Sequence, residues 1–148
     1  MPSDLTAHLG YWLRFVSNHV SNAFARKVEA EGVTVAEWVV LRELYDAKAT
    51  APSRLAETLG MTRGTISKLA DRLLAKQLIA RTPNPDDARA HTLALTQAGH
   101  ALVPRLAALA DENDADFFAH LTEADRAALD RILRDIVRRR DLKAVPVD

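Results

Sequence analysis

The spacing of apolar residues along the chain is helical almost throughout, with one interruption near the middle. Apolar side chains recur every three or four positions, which is the spacing of one face of an α-helix. This repeat predicts six helices, counted with their capping residues, at 6–30, 34–47, 52–59, 62–76, 96–120 and 122–142. Between the fourth and fifth helices, apolar and polar residues alternate over 91–96, which is the period of a β-strand. The pattern therefore predicts a mainly α-helical protein with a small β-hairpin.

The third and fourth predicted helices have the spacing of a helix-turn-helix. Pro52 suits a first helical turn, and Gly60 ends the third helix because glycine tolerates a left-handed backbone. Ala56 is small where the two helices would cross, and Thr62 is a suitable N-cap for the fourth. Five apolar side chains are expected between the two helices: Leu55, Leu59, Met61, Ile66 and Leu69. Two ordinary packed helices are the alternative interpretation.

A predicted hairpin follows the helix-turn-helix. Segments 78–83 and 91–96 flank the sequence NPDDARA, whose first four residues are typical of a turn. A β-hairpin directly after a helix-turn-helix is the wing of a winged helix. The pattern thus predicts one domain over 1–148, with a winged-helix DNA-binding unit at 34–96 and flanking helices at 5–30 and 97–142.

Charged residues are unevenly distributed, although the formal net charge is zero. Residues 53–89 contain seven Lys/Arg against four Asp/Glu, whereas both flanking parts of the chain carry a small negative excess. Because salt screens charges beyond a Debye length of about 10 Å, the local excess decides how strongly phosphate is attracted. The predicted winged helix is therefore the part suited to duplex DNA. For any one of these residues, a merely solvated position is the alternative.

The predicted wing contains the motif DxR at 87–89, followed by LxLTxxG at 93–99. After a helix-turn-helix, this combination resembles the signature of the MarR (multiple antibiotic resistance regulator) family of winged helix-turn-helix transcription factors. The resemblance extends in length and helix order over nearly the whole chain. It implies a DNA-binding transcriptional regulator, specifically a ligand-responsive repressor that binds a pseudo-palindromic operator as a homodimer. It further implies that Arg89 enters the minor groove and that Asp87 holds it, whereas a surface pair that only stiffens the turn is the alternative.

The exposed side of the fourth helix supplies the other candidate DNA contacts. Arg63 lies in the first turn, where a guanidinium can form two hydrogen bonds to guanine. Gly64 is unusual in a helix; either it permits close approach to the groove, or the first turn frays. The predicted DNA-binding residues are Thr62, Arg63, Gly64, Thr65, Ser67, Lys68, Arg72, Asp87 and Arg89.

The first, fifth and sixth helices carry more apolar surface than a monomeric winged helix needs. The first is apolar on more than one side, so we expect it to contact a second subunit as well as its own domain. Pro104 is predicted to kink the fifth helix or fray its first turn. In the last helix, the residues predicted to face inward are Leu129, Ile132, Leu133, Ile136 and Val137.

An effector pocket is a further implication of the family resemblance. Members of the family often bind small aromatic or anionic ligands between the dimer helices and the winged helix. The residues of this chain predicted to line such a pocket are His8, Tyr11, Trp12, Phe15, Trp38 and Arg42. Ordinary core or surface positions are the alternative for each of them.

Several functional classes lack their sequence signatures. The chain has no cysteine, which excludes disulfides, thiolate zinc sites and cysteine-based redox sensing. It contains no catalytic or nucleotide-binding motif, so we predict no enzyme activity, catalytic residues, metal ligands or cofactors. Without a signal peptide or a long apolar run, a cytoplasmic protein with no membrane contact is expected. The remaining alternatives are a winged-helix protein-interaction module and a metal-responsive regulator without an aromatic ligand.

Overall fold

A computed structural model describes residues 1–84 and 86–147, and of residues 88 and 89 only the backbone. A short 3-10 turn, Leu5–Ala7, precedes the first helix. The helices are α1 (Leu9–Glu29), α2 (Val35–Tyr45), α3 (Pro52–Leu59), α4 (Arg63–Ala75), α5 (Gln97–Phe118) and α6 (Glu123–Arg139). Strands β1 (Ile79–Asn84) and β2 (Asp87–Leu95) lie between α4 and α5. This order confirms the predicted fold class, a winged helix-turn-helix flanked by terminal helices.

The core lies where α2, the helix-turn-helix, the hairpin and the start of α5 meet. Side chains from all of these elements are 1% exposed or less, including those of Leu41, Leu44, Leu55, Ile66, Leu73, Leu93 and Leu106. An isolated bridge between Thr50 and Leu93 adds the α2–α3 connection to the edge of the hairpin. The winged-helix unit therefore shares one apolar core with the end of α1 and the start of α5. No helix in the described part of the chain combines the length and apolar character needed to cross a membrane.

Local capping residues define the helix ends, as the sequence predicts. Thr34 and Glu37 form a reciprocal capping box at the start of α2. Gly60 adopts the left-handed conformation (φ 65°) after α3, and the Thr62 hydroxyl accepts the Thr65 N–H at the start of α4. Gly99 lies so close to the Leu78 carbonyl that a Cβ at this position would collide with it. This close approach accounts for the glycine that ends the LxLTxxG motif.

The wing is longer than the sequence predicts. The pattern ends the first strand at 83 and begins the second at 91, but β1 reaches Asn84 and β2 already begins at Asp87. The Asn84 side chain accepts the Asp86 N–H at 2.9 Å and so closes the turn within the predicted NPDD stretch. The strand register passes from Pro83–His91 to Asn84–Asp87, which leaves residues 88–90 between two paired positions. Pro85, also part of the predicted turn, lies outside the described residues.

The terminal helices follow the prediction only in part. Helix α5 begins at Gln97, capped by Thr96, and continues through Pro104, so its first turn is not frayed and the kink stays a prediction. The five apolar residues of α6 that were predicted to face inward are instead 37–48% exposed. No residue of α6 is buried in this single chain, so the apolar side of this helix does not pack into the core. The N-terminal half of α1 is likewise exposed, with Leu9, Trp12, Leu13, Phe15 and Val16 all 46% exposed or more.

Candidate nucleic-acid interface

Helix α4 separates its residues into a buried side and an exposed side. Ile66, Leu69, Ala70 and Leu73 are 4% exposed or less and fix the helix against the core. The seven DNA-binding candidates on α4 and its cap are all exposed: Thr62, Arg63, Gly64, Thr65, Ser67, Lys68 and Arg72. The structure therefore brings these seven onto the solvent side of a single, firmly packed helix.

The N-terminal turn of α4 is well ordered by hydrogen bonds from its cap. Thr62 Oγ1 accepts the Thr65 N–H at 3.1 Å and donates to Thr65 Oγ1 at 2.9 Å. The first turn that contains Gly64 is therefore capped rather than frayed, and close approach of Gly64 to the groove stays a prediction. A Cβ at Gly64 would meet only Thr62 Oγ1, at 3.9 Å. Nothing among the described residues of the chain itself therefore requires a glycine here.

The cations on the exposed side of α4 are available for an external partner. Arg63, Lys68 and Arg72 form no ion pair with any residue in the described parts of the chain, 1–84 and 86–147. By contrast, Arg81 of the wing lies 3.6 Å from Asp71. Arg63 also lies in the first turn, beside the positive end of the helix dipole, so the exposed side of α4 favours an anionic partner.

Lys76, just beyond the last turn of α4, points away from this surface and fixes the end of the helix. Its Nζ donates to Glu37 Oε1 at 2.8 Å and to the Gly32 carbonyl at 2.9 Å. Burial raises the pKa of the Glu37 carboxyl, but hydrogen bonds from Lys76 and the Thr34 backbone, with the Lys76 charge, outweigh it and hold that pKa below its usual 4.5. Glu37 is therefore ionised at neutral pH. The ion pair connects the end of α4 to α2, and the hydrogen bond to Gly32 connects it to the turn before α2. This role of Glu37 was not predicted from the sequence.

The wing projects from the other end of the motif. Asp86, Asp87 and His91 are exposed, and the backbone of residues 88–90 lies in the irregular part of β2. The side chain of Arg89, the predicted minor-groove contact, lies outside the described residues, so its proposed pairing with Asp87 stays a prediction. Exposed polar residues on a hairpin beside α4 complete the surface expected of a winged helix.

A cavity of about 270 Å³ lies behind this surface, between α1, α2 and α5. Its lining residues are Val20, Ser21, Phe24, Val35, Trp38, Val39, Ala110, Asn113 and Pro146. Asn113 is buried, donates to the Val20 carbonyl at 3.1 Å and accepts from Lys27 at 2.9 Å. Of the six predicted pocket residues, Trp38 alone lines this cavity. Asn113 is a polar residue among the apolar positions of α5, and this break could have indicated the cavity from the sequence, but no site was predicted from it.

The other five predicted pocket residues lie elsewhere in the single chain. Tyr11, Trp12 and Phe15 form a row of ring contacts along the exposed side of α1, with Tyr11 and Trp12 centroids 5.1 Å apart. Arg42 pairs with Asp46 at 2.9 Å. His8 Nδ1 lies 3.4 Å from the Leu5 carbonyl.

A second and larger cavity, of about 650 Å³, lies between α1, the end of α5 and α6. Trp12 lines it together with apolar residues of all three helices. Among the described residues, no group of three His, Cys, Asp or Glu side chains is placed to hold a metal ion.

The fold and the exposed basic side of α4 define a winged helix-turn-helix DNA-binding regulator. The MarR family model matches residues 33–91. The transcriptional repressor NicR of Pseudomonas putida is 25% identical over 136 residues, which are 92% of this chain and 86% of NicR. The chain is thus similar to MarR-family regulators, through the family model over its winged-helix unit and through NicR over nearly its whole length.

Two solved structures are similar over nearly their whole length. BpsR of Bordetella bronchiseptica, whose DNA binding is regulated by 6-hydroxynicotinic acid, has a TM-score of 0.80 and 26% identity over 92% of this chain and 97% of BpsR. A cysteine-to-serine mutant of MarR from Escherichia coli, complexed with operator DNA, has a TM-score of 0.78 and 25% identity over 87% of this chain and 93% of that one.

Proposed function

We propose that this chain is a transcriptional repressor that binds a pseudo-palindromic operator as a homodimer and responds to a small aromatic or anionic effector. The observation that carries the proposal is the unpaired basic side of α4, which is held rigidly by a buried side and flanked by a wing. Residues 34–96 form the DNA-binding unit, and residues 5–30 and 97–142 form the dimer. The protein acts in the cytoplasm, where its operator lies, by binding and without catalysis.

Each side chain of the interface has a role that its chemistry supports. Arg63, in the first turn, forms two hydrogen bonds to guanine in the major groove. Thr65, Ser67 and Lys68 contact bases or phosphates, and Arg72, about one turn beyond Lys68, contacts a phosphate. Arg89 enters an A·T-rich minor groove, where the negative potential is concentrated. The similarity to a MarR structure with bound operator supports this arrangement.

A homodimer accounts for the apolar residues that α1 and α6 leave exposed. Leu9, Trp12 and Leu13 of α1 are 48–85% exposed, and Ile132 and Val137 of α6 are 47–48% exposed. Exposed apolar patches of this extent mark protein interaction sites, and the hydrophobic effect favours their burial against a second copy. A two-fold dimer places two α4 helices about one DNA turn, ~10 bp, apart.

The cavity beside Trp38 is the proposed effector site. Its volume of about 270 Å³ suits a small ring compound, Phe24 and Trp38 supply aromatic surface, and Lys27 lies close by, bonded to Asn113. That BpsR responds to 6-hydroxynicotinic acid, an aromatic acid, supports this class of ligand. Trp12 and its neighbours are then assigned to the dimer contact.

Selection of bound sequences from random duplexes, followed by titration at several salt concentrations, tests the proposal. With three to five phosphate contacts per subunit, log affinity should fall against log salt with a slope of about −5 to −9. Arg72→Ala should reduce the magnitude of the slope by about 2, because it removes one phosphate contact from each subunit of the dimer. The matched control Arg26→Ala removes the same charge from α1 and should leave the slope unchanged.

Two outcomes contradict the proposal. If the chain binds no duplex, or binds with a slope near zero, a protein-interaction module is the better interpretation. If sedimentation shows only monomers at micromolar concentration, or if the footprint covers a single half-site, the dimeric arrangement is wrong.

A further inference from the structure

Residues 143–147, which follow α6, contact two separate parts of the winged-helix unit. Helix α6 ends at Arg139, and the chain turns at Asp141, which has a left-handed φ of 51°. The Leu142 N–H donates to the Val137 carbonyl at 3.0 Å and closes this turn. Beyond it the chain crosses the α3–α4 turn and reaches the cavity beside Trp38.

The first contact is with Gly60 and Leu59 in the α3–α4 turn. A Cβ built on Gly60 would lie 2.5 Å from the Lys143 carbonyl oxygen and 2.9 Å from Ala144 Cα. The Val145 N–H donates to the Leu59 carbonyl at 3.2 Å, and the Val145 side chain packs against the core. This carbonyl belongs to the last turn of α3, where helical N–H partners run out. Residues 143–145 thus lie directly against the turn that positions α4.

The second contact is with the cavity. Pro146 lines it, together with Phe24, Trp38 and Val39. Val145 and Pro146 are adjacent, and consecutive Cα atoms are only about 3.8 Å apart. A molecule that displaces Pro146 from the cavity therefore also strains or breaks the hydrogen bond between Val145 and Leu59.

We propose that residues 143–147 are a latch that couples occupation of this cavity to the α3–α4 turn. With the cavity empty, the latch closes its mouth and holds the turn in the conformation that presents α4. A ligand that takes the place of Pro146 releases the turn and lowers DNA affinity. The effect on DNA rests on the proposed function, whereas the two contacts of the latch do not.

A cycle of four variants tests the contact at the turn. Gly60→Ala is made in the full chain and in a chain that ends at Leu142, and each thermal midpoint is measured at the same protein concentration. An alanine here is strained by the positive φ in both chains, but it collides with the latch only in the full chain. We expect the midpoint to fall by about 2–4 °C more in the full chain than in the shortened one.

Gly32→Ala is the matched control, because Gly32 also has a positive φ (87°) and an added Cβ would meet no atom of the described residues within 4 Å. Gly32→Ala should lower the thermal midpoint by the same amount in the full and the shortened chain. Equal losses for Gly60→Ala in the two chains would overturn the contact at the turn.

Fluorescence of Trp38 tests the contact at the cavity. The chain has two tryptophans, so Trp12→Phe leaves Trp38 as the sole reporter. In this background, removal of residues 143–148 should increase quenching by acrylamide, and unchanged quenching would overturn the closing role of Pro146. The shortened chain should also bind the selected operator about fivefold or more weakly than the full chain. Equal affinity would refute the coupling, whereas failure of the full chain to bind any duplex would refute the proposed function and leave the other two tests decisive.

Discussion

Replacing Lys76 by methionine tests the ion pair that fixes the end of α4. The change keeps the aliphatic stem and removes the ammonium, which leaves the fully buried Glu37 carboxylate without its cation. The Thr34 N–H still donates to Oε1, but Oε2 has no hydrogen-bond partner among the described residues. Loss of one partner from a fully buried pair costs roughly 3–5 kcal/mol. The Lys76 side chain is 39% exposed, so solvent screening reduces the expected loss to about 2–3 kcal/mol.

Replacing the other partner, Glu37, should lower the free energy of unfolding by less, because no buried charge is left behind. Glu37→Gln keeps an oxygen that can accept the Thr34 N–H, and Lys76 can turn its ammonium to water. We expect a loss of about 1 kcal/mol in the free energy of unfolding. The double variant should lose about as much as Glu37→Gln alone, so that the two single losses are strongly non-additive.

Urea unfolding at fixed protein concentration, followed by circular dichroism, measures these differences at several pH values. Since the folded-state pKa of Glu37 lies below 4.5, its stabilising contribution is complete above pH 4.5 and is lost as pH falls through the folded-state value. In Lys76→Met the ammonium is absent and no longer opposes the desolvation that raises the pKa of Glu37. The difference in free energy of unfolding between Lys76→Met and the parent should therefore become smaller at acid pH. If Lys76→Met costs no more than Glu37→Gln at pH 7, or if the double loss equals the sum of the single losses, this reasoning is refuted.

Three further predictions concern DNA binding and assembly. Arg89→Ala should weaken operator binding by about 1–3 kcal/mol while the thermal midpoint of the free protein stays unchanged. If Arg89→Ala binds the operator like the parent, the proposed role of the wing is contradicted. Arg63→Ala should instead change which sequences are selected. Gly64→Ala should raise the free energy of unfolding by up to about 1 kcal/mol yet weaken DNA binding, and unaltered binding would argue against close approach to the groove. Ile136→Glu should shift sedimentation at micromolar concentration from dimer to monomer, and an intact dimer would place the interface elsewhere.

Features set by neighbouring residues were predictable from the sequence, and features set by distant contacts were not. The left-handed Gly60 and the Thr62 cap depend on a few consecutive residues, and both were predicted at their observed positions. The buried and exposed sides of α4 follow from helical spacing alone. The length of the wing was underestimated because cross-strand pairing extends to Asn84 and Asp87, although the intervening sequence has the composition of a loop.

The cavity depends on long-range packing, and its lining was mostly missed. It joins residues of α1, α2 and α5 with Pro146, which are brought together only by the fold. Aromatic residues were selected as candidates by type, and this found Trp38 but also Tyr11 and Phe15, which lie on the outer side of α1. The apolar side of α6 is evident in the sequence, but the surface against which it would pack is not part of the same chain.

The exposed apolar side of α6 also determines how the protein responds to its own abundance. If this side is buried only when two chains meet, ordering of the terminal helices is a bimolecular event, and its free energy depends on protein concentration. At low abundance, the concentration of the dimer, which contacts both half-sites, then varies with the square of the monomer concentration. Operator occupancy should therefore rise more steeply than in simple proportion to protein level, giving a threshold for repression before any effector is present.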